Sequence, residues 1–137
     1  MDTKTQRIQD SKTQNKSETK GKVYDLEQRF GNYFEKVIIL TKKCPINDVT
    51  KRIIAQVVAS SGSVSANYAE ASEAMSKKDF VKCLKICRKE AKETKVWLRG
   101  LKVASDSFIS EFDSLIQESN EIIYILTSII SKNDIKS

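Results

Sequence analysis

Three cysteines, one close pair of glutamates and a run of lysines and arginines have the greatest chemical reach in this chain. Cys83 and Cys87 are spaced i, i+4, and with Cys44 they offer three soft sulfur ligands. That spacing is not the spacing of a zinc knuckle. A buried cysteine behaves as a small hydrophobe, so packing is the expected role. Glu90 and Glu93 stand three apart, where an acid and a base on one helix face would stand. Nothing completes a catalytic set around them. The chain has no histidine, which removes imidazole from acid–base chemistry and from any zinc site that needs it. The expectation is a protein that is not an enzyme, with no metal and no cofactor.

The cations form the stronger pattern. On a helical wheel Lys82, Lys85, Arg88, Lys89, Lys92, Lys95 and Arg99 fall on one arc of roughly 140°. Residues 72–104 hold ten Lys/Arg against four Asp/Glu, whereas residues 105–137 hold two against six. A stripe of this kind fits the phosphates of RNA or DNA, releasing counterions as it binds. It also fits electrostatic pairing with the acidic segment that follows, leaving a solvated face. No aromatic residues alternate with the stripe as stacking platforms, so binding would be directed at the backbone and not at bases.

The elements that carry these residues are helices. The 137 residues include one proline and four glycines, so there are few breaks, and the length fits one domain. Residues 1–22 carry six Lys/Arg and three Asp/Glu with almost no apolar groups, which predicts a mobile basic tail. Residues 23–132 form the domain, and 133–137 a short C-terminal tail. Asp25 with Gln28 reads as a capping box opening helix one. Leu26, Phe30, Tyr33, Val37, Leu40 and Cys44 then mark its core face. Pro45 ends that helix. Asn47 or Asp48 caps helix two, expected over about Val49 to Ala71. Ser76 with Asp79 reads as a second capping box, opening a helix three that ends near Val103 or Ala104. Its core arc is Phe80, Leu84, Cys87, Ala91, Thr94, Leu98 and Leu101. Helix four repeats Phe108, Phe112, Leu115, Ser119, Ile122, Leu126 and Ile129 at heptad spacing. Short connections make neighbours antiparallel, which predicts an all-α, up-down-up-down four-helix bundle.

Helix two is unusual. Ile53, Val57, Ser60, Val64 and Ala71 make its bundle face. Ala55, Ala59, Gly62, Ala66 and Ala69 lie roughly opposite, with Arg52, Gln56, Ser63, Asn67 and Glu70 between. No charge occurs from Ile53 to Ala69. The outer face of a bundle helix normally carries charge. A second copy of the chain is therefore expected to cover Ala59, Gly62 and Ala66, with hydrogen bonds from Ser63, Asn67 and Glu70 fixing register. Glu90 falls beside Cys83, Ile86 and Trp97 on the wheel, and a half-buried carboxylate there needs a partner. Asn67, Ser63 and the Trp97 indole are the candidates.

The blocks "SVSANYAEA" (63–71), "SKKDF" (76–80) and "KEAKETKVWL" (89–98) resemble the four-helix-bundle proteins encoded in 23S ribosomal RNA intervening sequences. The resemblance covers about residues 24–132. Ser63, Asn67, Glu70, Ser76, Asp79, Phe80, Glu90, Glu93 and Trp97 fall on the family's motif positions. Ala59 stands where the family often has Arg, and Val96 where it often has an aromatic, which puts any arginine pairing with Glu90 or Glu93 in doubt here. The resemblance implies a ring-like homopentamer. A similar fold is used by the accessory proteins of diversity-generating retroelements, which look like basic pentameric barrels that bind nucleic acid and a reverse transcriptase. By that analogy a reverse transcriptase or a ribosome-associated protein joins self, RNA and DNA as expected partners. No membrane partner is expected, because no apolar run reaches spanning length. The N-terminus has no apolar signal region, so a cytoplasmic location with free thiols is expected.

Overall fold

The structure, a computed structural model, describes residues 18–134, with side chains from Leu26 onward. Those residues form four helices: α1 (Glu18–Lys43), α2 (Asp48–Ser72), α3 (Lys77–Ser105) and α4 (Ile109–Asn133). Successive helices pack side by side, and α4 returns to α1, which closes a four-helix bundle. The α1 and α2 pair meets through Phe30 on Tyr68, with ring centroids 5.0 Å apart and edge-on. The Phe34 ring packs directly on Gly62, where a Cβ would lie 3.1 Å from it. Between α2 and α3, the Cys87 thiol donates to the Val64 carbonyl and Thr94 meets Ser60. Lys85 pairs with Asp134 and Lys102 with Asp113 between α3 and α4. In each pair, residue numbers rise along one helix as they fall along the other.

The core follows the expected spacing closely. Phe30, Tyr33, Val37 and Leu40 are buried on α1, Cys44 just past its end, and Leu84, Cys87, Ala91, Thr94, Leu98 and Leu101 on α3, whereas Leu26 and Phe80, at the start of the two rows, are half-buried. Each fully buried Leu or Phe stabilises the fold by about 1.5–3 kcal/mol relative to exposure. On α4 the buried row is Phe112, Leu115, Ser119, Ile122, Leu126 and Ile130. Ile129, expected in that row, is only half-buried, because 3.6 residues per turn carries a straight helix off a strict heptad by its last turn. No helix among the described residues is long and apolar enough to cross a membrane.

The helix ends depart from expectation in three places. α1 is already helical at Glu18, so Asp25 lies inside the helix and opens nothing. A nucleated helix extends through polar residues at little cost per residue. Residues 1–17 of the expected tail, and 135–137 at the other end, lie outside the described residues. Asn47 supplies the complete capping box: its side chain accepts from Val49 and Thr50, and the Thr50 hydroxyl accepts from the Asn47 amide. At α3 only half of a box forms. Ser76 Oγ accepts from the Asp79 amide at 3.1 Å, while the Asp79 side chain, one methylene shorter than Glu, makes no return bond. The α3–α4 turn uses left-handed backbone at Asp106 (φ 56°) and Phe108 (φ 59°). Phe108 thus precedes α4 instead of belonging to it. The strain at this bulky residue is offset by packing its ring on the core, where Lys43 Nζ lies 5.6 Å from its centroid.

Candidate nucleic-acid interface

The α3 stripe is formed by one side of a 29-residue helix. Lys82, Lys85, Lys89, Lys92 and Arg99 are exposed, and Arg88 and Lys95 are half-buried toward α4. Arg88 is anchored there, donating to the Thr127 hydroxyl at 3.3 Å. Lys85 pairs with Asp134 at 2.9 Å. Among the described residues Lys82, Lys89, Lys92, Lys95 and Arg99 make no ion pair.

The acidic charge of α4 therefore does not neutralise the middle of the stripe. Two ion pairs join α3 to α4, Asp134 at Lys85 and, beyond the stripe, Asp113 at Lys102. The mid-helix carboxylates of α4 turn the other way, to α1. Arg29 forks onto Glu118 at 2.7 and 2.8 Å and reaches Glu121 at 2.6 Å. The Glu118 bonds dominate in holding the guanidinium charged, against a desolvation cost, and Arg29's pKa is raised. Glu121 is pushed below the usual carboxylate range, first by the Gln117 amide and then by Arg29.

The expected self-contact face of α2 is narrower than the wheel implies. Ala59, Ala66 and Glu70 are exposed, as are Ala55 and Ala69, but Gly62 faces Phe34 of α1. Tyr68 and Ser61 are buried as well, because α2 lies between α1 and α3 and covers two flanks. Much of its charge-free character is thus used within one chain. Ser63 and Asn67 are half-buried. Asn67 does not reach Glu90: its amide donates to the carbonyl of Ser63 one turn back, at 2.8 Å. Neither Ser63 Oγ nor the Trp97 indole bonds Glu90, whose carboxylate makes no hydrogen bond or ion pair among the described residues. Burial, then the like charge of Glu93, pushes the Glu90 carboxyl up, with Lys89 opposing. Glu93 is exposed, and Trp97 packs half-buried against the core.

The three thiols are not brought together. Cys44 packs near Ser105 at the C-terminal end of α3, while Cys83 and Cys87 lie near its start. Burial pushes the Cys87 thiol up to about 12. Among the described residues no three Cys, Asp or Glu are grouped to hold a metal ion.

Sequence reasoning missed three features. One is the Arg29 fork, whose signal was the i, i+3 spacing of Glu118 and Glu121. Another is a buried layer with one hydroxyl from each helix: Tyr33, Ser60, Thr94 and Ser119. The third is Tyr124, 73% exposed on α4. It is concealed in the apolar run "IIYILTSII", where only its position on the wheel sets it apart.

Comparison with known proteins places this arrangement. A family model described as 23S rRNA-intervening sequence protein matches residues 22–128. A crystal structure of a protein of unknown function from the S23 ribosomal protein family of Bacteroides thetaiotaomicron is similar, with a TM-score of 0.69 and 29% identity. The likeness covers 80% of this chain and 98% of that one. No curated protein matches. With its four helices and the motif blocks on α2 and α3, the chain belongs to the 23S rRNA-intervening sequence protein family.

Proposed function

We propose that this protein is a non-enzymatic, self-associating, up-down-up-down bundle of the cytoplasm that holds RNA or DNA backbone along α3. One observation carries the reading. Five cations of the stripe have no acidic partner among the described residues, while the acidic residues in the middle of α4 are taken by Arg29 of α1. A stripe that served only to bind α4 would meet those carboxylates. Phosphates are the complementary ligand, and each one neutralised releases counterions.

The test is binding to labelled RNA and DNA across a salt series. Five unpaired cations per protomer give an expected slope of log K against log salt of about −3 to −5 per bound protomer. Reversal of Lys85, Lys89 and Lys92 to Glu abolishes binding while leaving the helical signal intact. Absence of binding at low salt removes the proposal.

A second reading is a self-assembly or protein-interaction scaffold. The exposed, charge-free row Ala55, Ala59, Ala66 and Ala69 favours it, since small residues let helices approach closely. A pentamer is the form that the family resemblance favours. If the charge reversals dissolve the assembly in light scattering and no nucleic acid binds, this second reading replaces the first.

A further inference from the structure

Tyr124 is the only exposed aromatic residue among those with described side chains. Trp97, Phe34, Phe80 and Phe108 are half-buried, and the other rings are in the core. A ring 73% exposed contributes little to the packing of its own chain. Its position along the bundle is fixed by two contacts between α3 and α4, Arg88 to Thr127 at 3.3 Å and Lys102 to Asp113 at 2.6 Å. Because the two helices run in opposite senses, Tyr124, one turn before Thr127, stands level with Ala91 and Lys92. That is the middle of the unpaired part of the stripe.

Around the ring this face of α4 is polar, and the carboxylates at its two ends, Asp113 and Asp134, are paired with Lys102 and Lys85. On a helical wheel Asn120, Tyr124, Thr127 and Ser131 fall on one side of α4, the side from which Thr127 meets Arg88 of α3. Glu121 borders the same shallow depression as Tyr124, Asn120 and Arg29 of α1, and is paired with that Arg29 at 2.6 Å. The α4 carboxylates bordering this surface are thus each held by a cation, and exposed Glu93, one turn beyond Lys89, is the α3 carboxylate left unpaired beside it among the described residues. A row of cations with an aromatic ring beside it is the combination that binds unpaired strands. The cations follow the backbone, and the ring takes the face of a base. In a duplex those faces are occupied by neighbouring bases, and a lone surface ring gains nothing from them.

We propose that α3 and the outer face of α4 form one surface for a single nucleic-acid strand, with phosphates along Lys89, Lys92 and Arg88 and a base stacked on Tyr124. This rests on the nucleic-acid reading above and adds the strandedness of the ligand and the residue that reads it. RNA and DNA share the required chemistry.

The test uses the full chain and short labelled oligonucleotides at matched salt. The set is single-stranded RNA, single-stranded DNA, the corresponding duplexes, and a sugar–phosphate strand without bases. The expected result is tighter binding of the single strands than of the duplexes or the abasic strand. Tyr124→Ala weakens single-strand binding by about 5- to 100-fold, while Tyr124→Phe stays within about threefold of the parent. The salt slope is unchanged in Tyr124→Ala and falls in Lys92→Glu, because only the second loses an ionic contact. The RNA and DNA arms report which sugar is preferred.

If Tyr124→Ala binds like the parent, or duplex and abasic strands bind as tightly as single strands, this inference fails and the backbone reading stands. If no oligonucleotide binds the parent protein at low salt, both fail. A change of assembly mass in Tyr124→Ala, read by light scattering, assigns the ring to a contact between copies and overturns the inference.

Discussion

Replacing Tyr33 with Phe probes the polar layer at the centre of the bundle. Tyr33 of α1, Ser60 of α2, Thr94 of α3 and Ser119 of α4 are all buried there. The Tyr33 hydroxyl bonds Ser119 Oγ, and Thr94 Oγ1 lies 2.7 Å from Ser60 Oγ and 2.8 Å from the Glu90 carbonyl. Ser119 also donates to the Leu115 carbonyl at 2.9 Å, so Tyr33→Phe leaves no donor stranded. It should cost one net hydrogen bond, about 1 kcal/mol. Ser119→Ala instead leaves a buried phenol short of its partner, and should cost about 1–3 kcal/mol. The double variant should then cost little more than Ser119→Ala alone, a coupling of about 1 kcal/mol. The phenol has a second signature. Burial raises its pKa from 10.0 to about 12, so the fold favours the neutral form. That contribution is whole below pH 10 and is lost as pH rises toward 12, to an extent of about 2–3 kcal/mol. Cys87, raised from 9.0 to about 12 by burial, adds its own loss over an overlapping range. The informative quantity is therefore the difference between the parent and Tyr33→Phe, measured by urea melts followed by circular dichroism at neutral and alkaline pH. Strictly additive costs, or an equally steep alkaline decline in both proteins, would refute the reasoning.

Further predictions concern the caps, the close helix contact and the thiols. Asn47→Ala removes the acceptor for two amides at the start of α2 and should lower stability by about 1 kcal/mol in denaturant melts. Gly62→Leu puts a branched side chain where even a Cβ would lie 3.1 Å from Phe34, and should cost about 1–3 kcal/mol by the same assay. Native protein treated with a thiol reagent should take up one label quickly, at half-buried Cys83. Buried Cys44 and Cys87 should react only on unfolding, as mass spectrometry of labelled peptides would report.

The fold was largely legible because hydrophobic period is a local property of the chain. The rows on α1 and α3 were read correctly except at their first positions, where Leu26 and Phe80 are half-buried and Val81 is buried instead, and Pro45 and Asn47 marked a break whose chemistry is local too. Errors arose where an outcome depends on which neighbour a face meets. Gly62 looked like part of an outer face until Phe34 of α1 was found against it. Asn67 looked like a partner for Glu90, but its own helix backbone offered a nearer acceptor. Asp25 had the pattern of a cap, yet helix continued through it from Glu18.

The candidate site divides in the same way. The basic stripe was fully visible in sequence, because seven cations at helical spacing share a face whatever the fold around them. Whether that charge was free depended on where α4 directs its carboxylates. Sequence offered only α3 as a partner for the acidic residues of α4, and packing gave Glu118 and Glu121 to Arg29 of α1.

By itself, the sequence determined four helices, their core faces and the segregation of charge, since each follows from side-chain pattern over a few turns. Only the tertiary structure decided which charges cancel. It also joined four separate hydroxyls into one layer and set the lone exposed tyrosine of α4 level with Lys92 of α3. Nearly all of those relations join residues about 30 or more positions apart, and their free energy comes from contacts that exist only after the helices have packed.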